Sequence, residues 1–196
     1  MKYPLCVLAV AFLCAAQGWD EPEFCHGYEC PEFDVINTNE EFEARAYKAS
    51  TWITIDSASD SDSDLKVGFT KLWDYTQGDN EESQTINTHT WPALISLTEV
   101  DGKKNFSLYF FVASENKVLP TPKAPIRVET IPACIIYVRV FSSYPTRGSL
   151  QDNVEKHREA LKLASLTFNP ERHILAGYES PWTLIGRHNE IWIFAA

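Results

Sequence analysis

Close to the C-terminal end, Arg187 and Glu190 flank His188 and Asn189, directly ahead of the β-branched and aromatic run Ile191 to Phe194. Two chemistries suit that string. A carboxylate held in an apolar cleft can act as a general acid or base, which would make Glu190 the working group of a hydrolase-like enzyme. The same pair can instead be a structural ion pair that pins the last strand, with Asn189 and Trp192 as structural companions. The structural reading is the better supported one, since no nucleophile elbow, metal triad or phosphate loop accompanies the carboxylate. No enzymatic activity is therefore expected.

Metal and thiol chemistry is sparse. There is no second CxxC and no histidine pair at helical ligand distance, so zinc is not indicated. His157 falls on the inward side of an apolar stripe and reads as a core or rim histidine, while His26, His173 and His188 read as surface or loop residues. Of the five cysteines, Cys6 and Cys14 lie in the N-terminal apolar stretch. Cys25 and Cys30, separated by a loop that contains Gly27, are expected to pair. Cys134 is then a buried free thiol in the run Ala133 to Val140; the rival pairing ties Cys134 to Cys25 or Cys30.

Residues 1–18 combine Lys2, an apolar run from Leu5 to Leu13 and small residues at the exit, the pattern of a secretory signal peptide cleaved after Gly18, with Ala16 as second choice. That run is shorter than the roughly 20 residues a bilayer span requires, and no later segment reads as a membrane anchor. A secreted, extracellular product is expected. The formal charge is −10, and removal of Lys2 takes it to −11 by the same count. Such an acidic chain without a basic patch disfavours nucleic acid as a partner.

The elements that must position these groups read as an α+β domain over 33–196, preceded by an N-terminal arm at 19–32. Alternation places strands at Phe33–Thr38, at Phe42–Tyr47 and at Thr51–Ile55. The Ser/Asp run from Asp56 to Asp64 reads as a solvated, mobile loop. A helix follows over Leu65 to Gln77, with Leu65, Phe69, Leu72 and Trp73 on one side, Asp64 as N-cap and Gly78 as stop. Strands at Ala93–Val100 and Phe106–Ala113 join through Asp101-Gly102, a hairpin turn signal, and Asn105-Phe106-Ser107 is a glycosylation sequon on Asn105. Four prolines between Lys117 and Pro132 mark an extended connection. Cys134 to Phe141 is a strand, and Leu150 to Leu166 a second helix opened by Ser149 with Asp152 as a capping-box variant. His173 to Tyr178 and the closing strand complete the chain. The order strand, helix, strand pair is thus written twice, over Phe42–Ala113 and Ile126–Phe194.

Several separated strings carry a family resemblance: Cys30-Pro31-Glu32-Phe33-Asp34-Val35, Phe42-Glu43-Ala44-Arg45-Ala46-Tyr47, Phe69 to Asn80, Thr90-Trp91-Pro92, and Gly186-Arg187-His188-Asn189-Glu190-Ile191-Trp192. In this order they resemble the SOUL haem-binding protein family across nearly all of the chain that follows the signal peptide. The resemblance implies a distorted antiparallel β-barrel built from two strand-helix-strand-strand halves and flanked by two helices. It also implies haem or another porphyrin as cofactor and partner, bound in an apolar groove. The signal peptide and the Cys25/Cys30 pair look like the secreted branch of the family.

Some members place a histidine, proposed as axial ligand, where this chain has Ala46. Members usually read Met-Thr-x-Pro-Val where this chain has His89-Thr90-Trp91-Pro92-Ala93, so His89 is the candidate iron ligand, against a plain turn histidine near Pro92. Of the basic residues that relatives offer to propionates, Lys71 is retained and a C-terminal lysine position is occupied by Thr183; Lys66 and Arg127 are further cations. Phe69, Leu72, Trp73 and Trp91 suit the flat walls a porphyrin needs, as they also suit plain core. The expected function is a secreted tetrapyrrole-binding protein. The alternatives are a carrier of another hydrophobic small molecule, a protein-interaction domain, or the Glu190 hydrolase.

Overall fold

The computed structural model describes residues 19–180 and 183–196; the signal-peptide reading lies outside the described residues. The arm begins with a 3-10 turn, Glu23–Cys25. Strands β1 (Phe33–Thr38), β2 (Glu43–Tyr47) and β3 (Ser50–Ser57) lead to helix α1 (Asp62–Thr76), then to β4 (Ala93–Val100) and β5 (Lys103–Phe111). The second half is β6 (Arg127–Ile131), β7 (Cys134–Phe141), helix α2 (Arg147–Leu163), β8 (Arg172–Gly177) and β9 (Asn189–Phe194).

All pairings between strands are antiparallel, in the order β1-β2-β7-β9-β8-β4-β5-β3-β6. Beyond β1 the order is a palindrome about the β8/β4 boundary, so the two halves meet through β4 and β8. Each half also lends a strand to the other: β2 lies on β7, and β6 lies on β3. α1 packs on β3 and β5, and α2 on the equivalent β7 and β9. This is the curled α+β sheet with two helices that the order of elements predicted.

The inside of the curl is filled by Trp52, Leu94, Tyr109, Ile174 and Trp192, and the arm's Cys25 and Cys30 belong to the same cluster. The helices cover the other face. Strand alternation assigns the residues: in β9, Ile191 and Ile193 join the cluster under α2, whereas Trp192 joins the one inside the curl.

Local chemistry moves several expected boundaries. α1 starts within the Ser/Asp run, because the Ser61 hydroxyl caps it by accepting the Asp64 N–H at 3.2 Å. Asp62 and Asp64 then sit in its first turn, where the helix dipole favours negative charge. Much of that run is therefore the end of β3 and the start of α1 rather than loop, with Asp60 2.8 Å from Arg147. α2 likewise opens earlier than expected, on Thr146, whose hydroxyl accepts the Ser149 N–H at 3.2 Å. The Asp101-Gly102 turn has both residues at positive φ, 52° and 73°, as the tight hairpin turn requires.

Candidate functional site

Two features compete for function, one on each face of the sheet. Inside the curl, Glu190 is fully buried and accepts four hydrogen bonds. Its partners are Arg45 Nη1 at 2.9 Å, His188 Nε2 at 2.8 Å, Tyr178 Oη at 2.9 Å and Trp192 Nε1 at 2.6 Å. Burial alone would raise its pKa, but the Arg45 charge with the His188 and Trp192 donors outweighs it and holds the carboxyl at about 2. The same burial and the same carboxylate push the Tyr178 phenol well up. Arg45, itself buried, also reaches Glu43 at 2.7 Å and lies over the Phe33 ring at 4.4 Å from its centroid. A carboxylate with all of these donors engaged is a structural anchor, not a free acid or base.

Arg187 is not the partner of Glu190, contrary to expectation. Its Nη1 donates to the carbonyls of Ser180 at 2.8 Å and Thr183 at 2.7 Å, and its Nε to Asn189 Oδ1 at 3.4 Å. Asn189 passes the order on, its Nδ2 donating to the Ser143 carbonyl at 3.0 Å. Period-2 alternation explains the exchange: Glu190 and Trp192 face into the curl, where β2 presents Arg45, while Asn189 faces the helices. Arg187 thus organises the β8–β9 loop through carbonyls, and Glu190 pins the closing strand to β2.

On the helix face a groove of about 1070 Å³ opens between α1 and the loop leading into α2. Its floor is Ile95, Phe110 and Leu175, and its walls include Phe69, Trp73 and Trp91. Phe69 stacks on Phe110 with centroids 5.6 Å apart. Trp73 is half exposed. The charged lining groups are Asp62, Lys66, Glu179 and Arg187. Glu179 Oε1 accepts the His188 backbone N–H at 2.8 Å.

Of the candidates, Phe69, Trp73 and Trp91 are brought together at this groove, while Leu72, Lys71 and His89 are not in its lining. Leu72 is fully buried under α1 with Ile53, Tyr75 and Leu108. Lys71 is exposed on the helix. The His89 ring is exposed and meets the Tyr28 ring at 5.5 Å, and its backbone N–H donates to Asn87 Oδ1 at 2.8 Å, so it is built as a turn residue. Arg127 pairs with Asp56 at 2.8 Å at the surface. The described lining contains no histidine, cysteine or methionine; its phenol is Tyr144.

The cysteines pair as expected, Cys25 with Cys30. Cys134 is free and only half-buried, with burial pushing its thiol up. His157 is fully enclosed with neither ring nitrogen bonded, and burial lowers its pKa to about 3. Of the histidines read as surface or loop residues, His188 does lie in the β8–β9 loop, whereas His173 does not. His173 lies in β8 with its pKa lowered by burial to about 4. His188 stacks on Phe24 with centroids 4.0 Å apart. Asn105 is exposed on β5. Floor residues Ile95, Phe110 and Leu175 were missed because strand alternation marks a buried face without showing whether protein or ligand covers it.

The SOUL heme-binding protein family profile matches residues 28–194. Heme-binding protein 2 of Homo sapiens is 27% identical over 185 residues, covering 91% of this chain and 87% of its own length. Heme-binding protein 1 of Mus musculus is 21% identical over 160 residues, covering 79% and 84%. Among solved structures, the EcmrR C-terminal domain superposes with a TM-score of 0.55 at 10% identity, covering 79% of this chain and 98% of its own, which shows a shared fold.

Proposed function

This chain belongs to the SOUL heme-binding protein family, and from that premise we propose that it binds haem or a related tetrapyrrole in the groove beside α1. The observation that carries the reading is the groove itself, whose volume lies at the top of the roughly 300–1,000 Å³ range of small-molecule sites. Its walls fit the group: Phe69, Trp73, Trp91 and Phe110 present the broad apolar faces that a macrocycle stacks against. Lys66 is the exposed lining cation able to meet a propionate, since the guanidinium of Arg187 is committed to loop carbonyls. Haem would supply its own iron chemistry; the protein's part is apolar burial and orientation. His89 lies outside the lining and does not ligate the iron in this reading.

The reading extends to a secreted protein. Residues 1–18 carry a leader pattern, the Cys25–Cys30 bond suits an oxidising compartment, and Asn105 is exposed for glycosylation. Titration of purified protein with hemin should give a saturable Soret shift, with the same band and spin state in His89→Met. No saturable shift would sink the haem reading, and a changed spin state would restore His89 as a ligand.

A further inference from the structure

The disulfide loop of the arm touches two separate walls of the groove. On one side Glu29 forms a parallel bridge with Thr90: its N–H donates to the His89 carbonyl at 3.1 Å, and its carbonyl accepts the Trp91 N–H at 3.0 Å. Its carboxylate accepts the Ser114 N–H at 2.7 Å, just beyond β5. The Tyr28 ring leans on the same segment, with its centroid 6.5 Å from that of Trp91. On the other side His26 Nε2 lies 3.3 Å from Glu179 Oε1, and Phe24 stacks on His188. Thr90, Trp91 and Glu179 all line the groove. Residues 24–30 therefore tie the segment leading into β4 to the β8–β9 loop.

We propose that the Cys25–Cys30 loop is a redox-set clamp on the groove, which reaches full affinity only while this disulfide is closed. The proposal rests on the groove being the ligand site. The bond closes a loop in which His26 and Gly27 sit at φ 56° and 75°, and opening it returns conformational freedom to Tyr28 and Glu29. The reductant is a dithiol. One of its thiolates attacks a cysteine sulfur, the mixed disulfide is resolved by its second thiol, and the products are the reductant's own disulfide and two cysteine thiols that carry its two protons. Cys25 and Cys30 are 0% and 4% exposed, so the arm must open before attack. Coupling between sites is reciprocal: a ligand that favours the clamped groove must also shift the dithiol–disulfide equilibrium toward the closed bond.

The test titrates wild type and a Cys25→Ser, Cys30→Ser double variant with protoporphyrin IX, which has no iron for thiols to ligate, and follows backbone amide exchange in parallel. The expected result is affinity weaker by on the order of tenfold in the variant, with faster exchange at the Trp91 and His188 amides. Equal affinity in wild type and a folded variant overturns the clamp. If wild type binds no protoporphyrin, the tetrapyrrole reading falls, and exchange alone decides the clamp: unchanged rates at both amides overturn it. Should the variant not fold, exchange in wild type reduced with dithiothreitol takes its place, under the same two outcomes.

Discussion

α1 and α2 occupy equivalent places in the two halves, yet they meet the sheet differently. α2 lays one stripe, Val154, His157 and Leu161, onto a filled core with Phe42, Tyr137 and Ile191. α1 has a wider apolar arc. Leu72 and Tyr75 go down onto the sheet, while Leu65, Phe69 and Trp73 turn sideways to wall the groove. The exchanged strands differ in the same manner: β2 brings Arg45 into a fully buried ion pair, and β6 brings Arg127 to a surface pair with Asp56. One topology therefore supplies a hollow side beside α1 and a solid side beneath α2, and what separates them is how much apolar arc exceeds the sheet contact.

Breaking the buried pair should have the largest effect. Arg45→Ala leaves Glu190 enclosed without its cation and is expected to cost about 3–5 kcal/mol in denaturant unfolding. Arg127→Ala, its topological counterpart, should cost no more than about 1 kcal/mol. Equal costs would erase the distinction between the exchanged strands.

A pair of truncations sharpens the contrast between the helices. Leu161→Ala, under α2, should cost about 2–5 kcal/mol, as enclosed leucines do. Phe69→Ala removes a half-buried groove wall, so stability should fall less while hemin affinity drops. If Phe69→Ala destabilises as much as Leu161→Ala and leaves affinity intact, the hollow side of α1 is ordinary core.

Much of this was legible in the sequence, and its gaps have physical causes. The repeat of strand, helix and strand pair and the Cys25–Cys30 bond follow from pattern, whereas for Phe69, Trp73 and Trp91 pattern gives apolar faces that suit groove wall and plain core alike. Arg45 as the partner of Glu190 does not, because 145 residues separate them and sequence proximity favoured Arg187. Leu72 could not be told from Phe69, since helical periodicity gives an apolar arc without dividing it between sheet and groove. A motif match points to Lys71 and His89, and a motif does not fix where a side chain points.

Acid should act first on the solid side. Burial lowers His157 to about 3 and His173 to about 4, each from 6.5, with Arg158 facing both and Arg139 also facing His157. A depressed folded value means the unfolded chain binds protons first, so stability is complete above about pH 6.5 and is lost as pH falls. Each histidine contributes a slope of up to about 1.4 kcal/mol per pH unit. Glu190, lowered from 4.5 to about 2, adds to the loss only below about pH 4.5. Between those limits His157→Leu should flatten the dependence of unfolding free energy on pH; an unchanged slope would show that His157 charges freely in the folded state.

The smallest effect separates the halves by sign. Gly68 lies in α1 where a Cβ would stand 2.4 Å from Leu108 Cδ1 and 3.6 Å from Ile55 Cγ2. Leu108 is fully buried, so its methyl has little room to withdraw. Gly68→Ala gains about 1 kcal/mol of helix propensity but meets an overpacking cost of about 1–3 kcal/mol. The expected balance is a loss of roughly 1 kcal/mol, with α1 lifted and hemin affinity altered because Phe69 is its neighbour in the wall. Gly148, in the first turn of α2, has nothing within 4 Å of its Cβ position. There propensity acts alone, and Gly148→Ala should stabilise by about 0.5–1 kcal/mol without touching the groove. If both substitutions stabilise, α1 is docked no more tightly than α2, and the groove owes nothing to the close approach at Gly68.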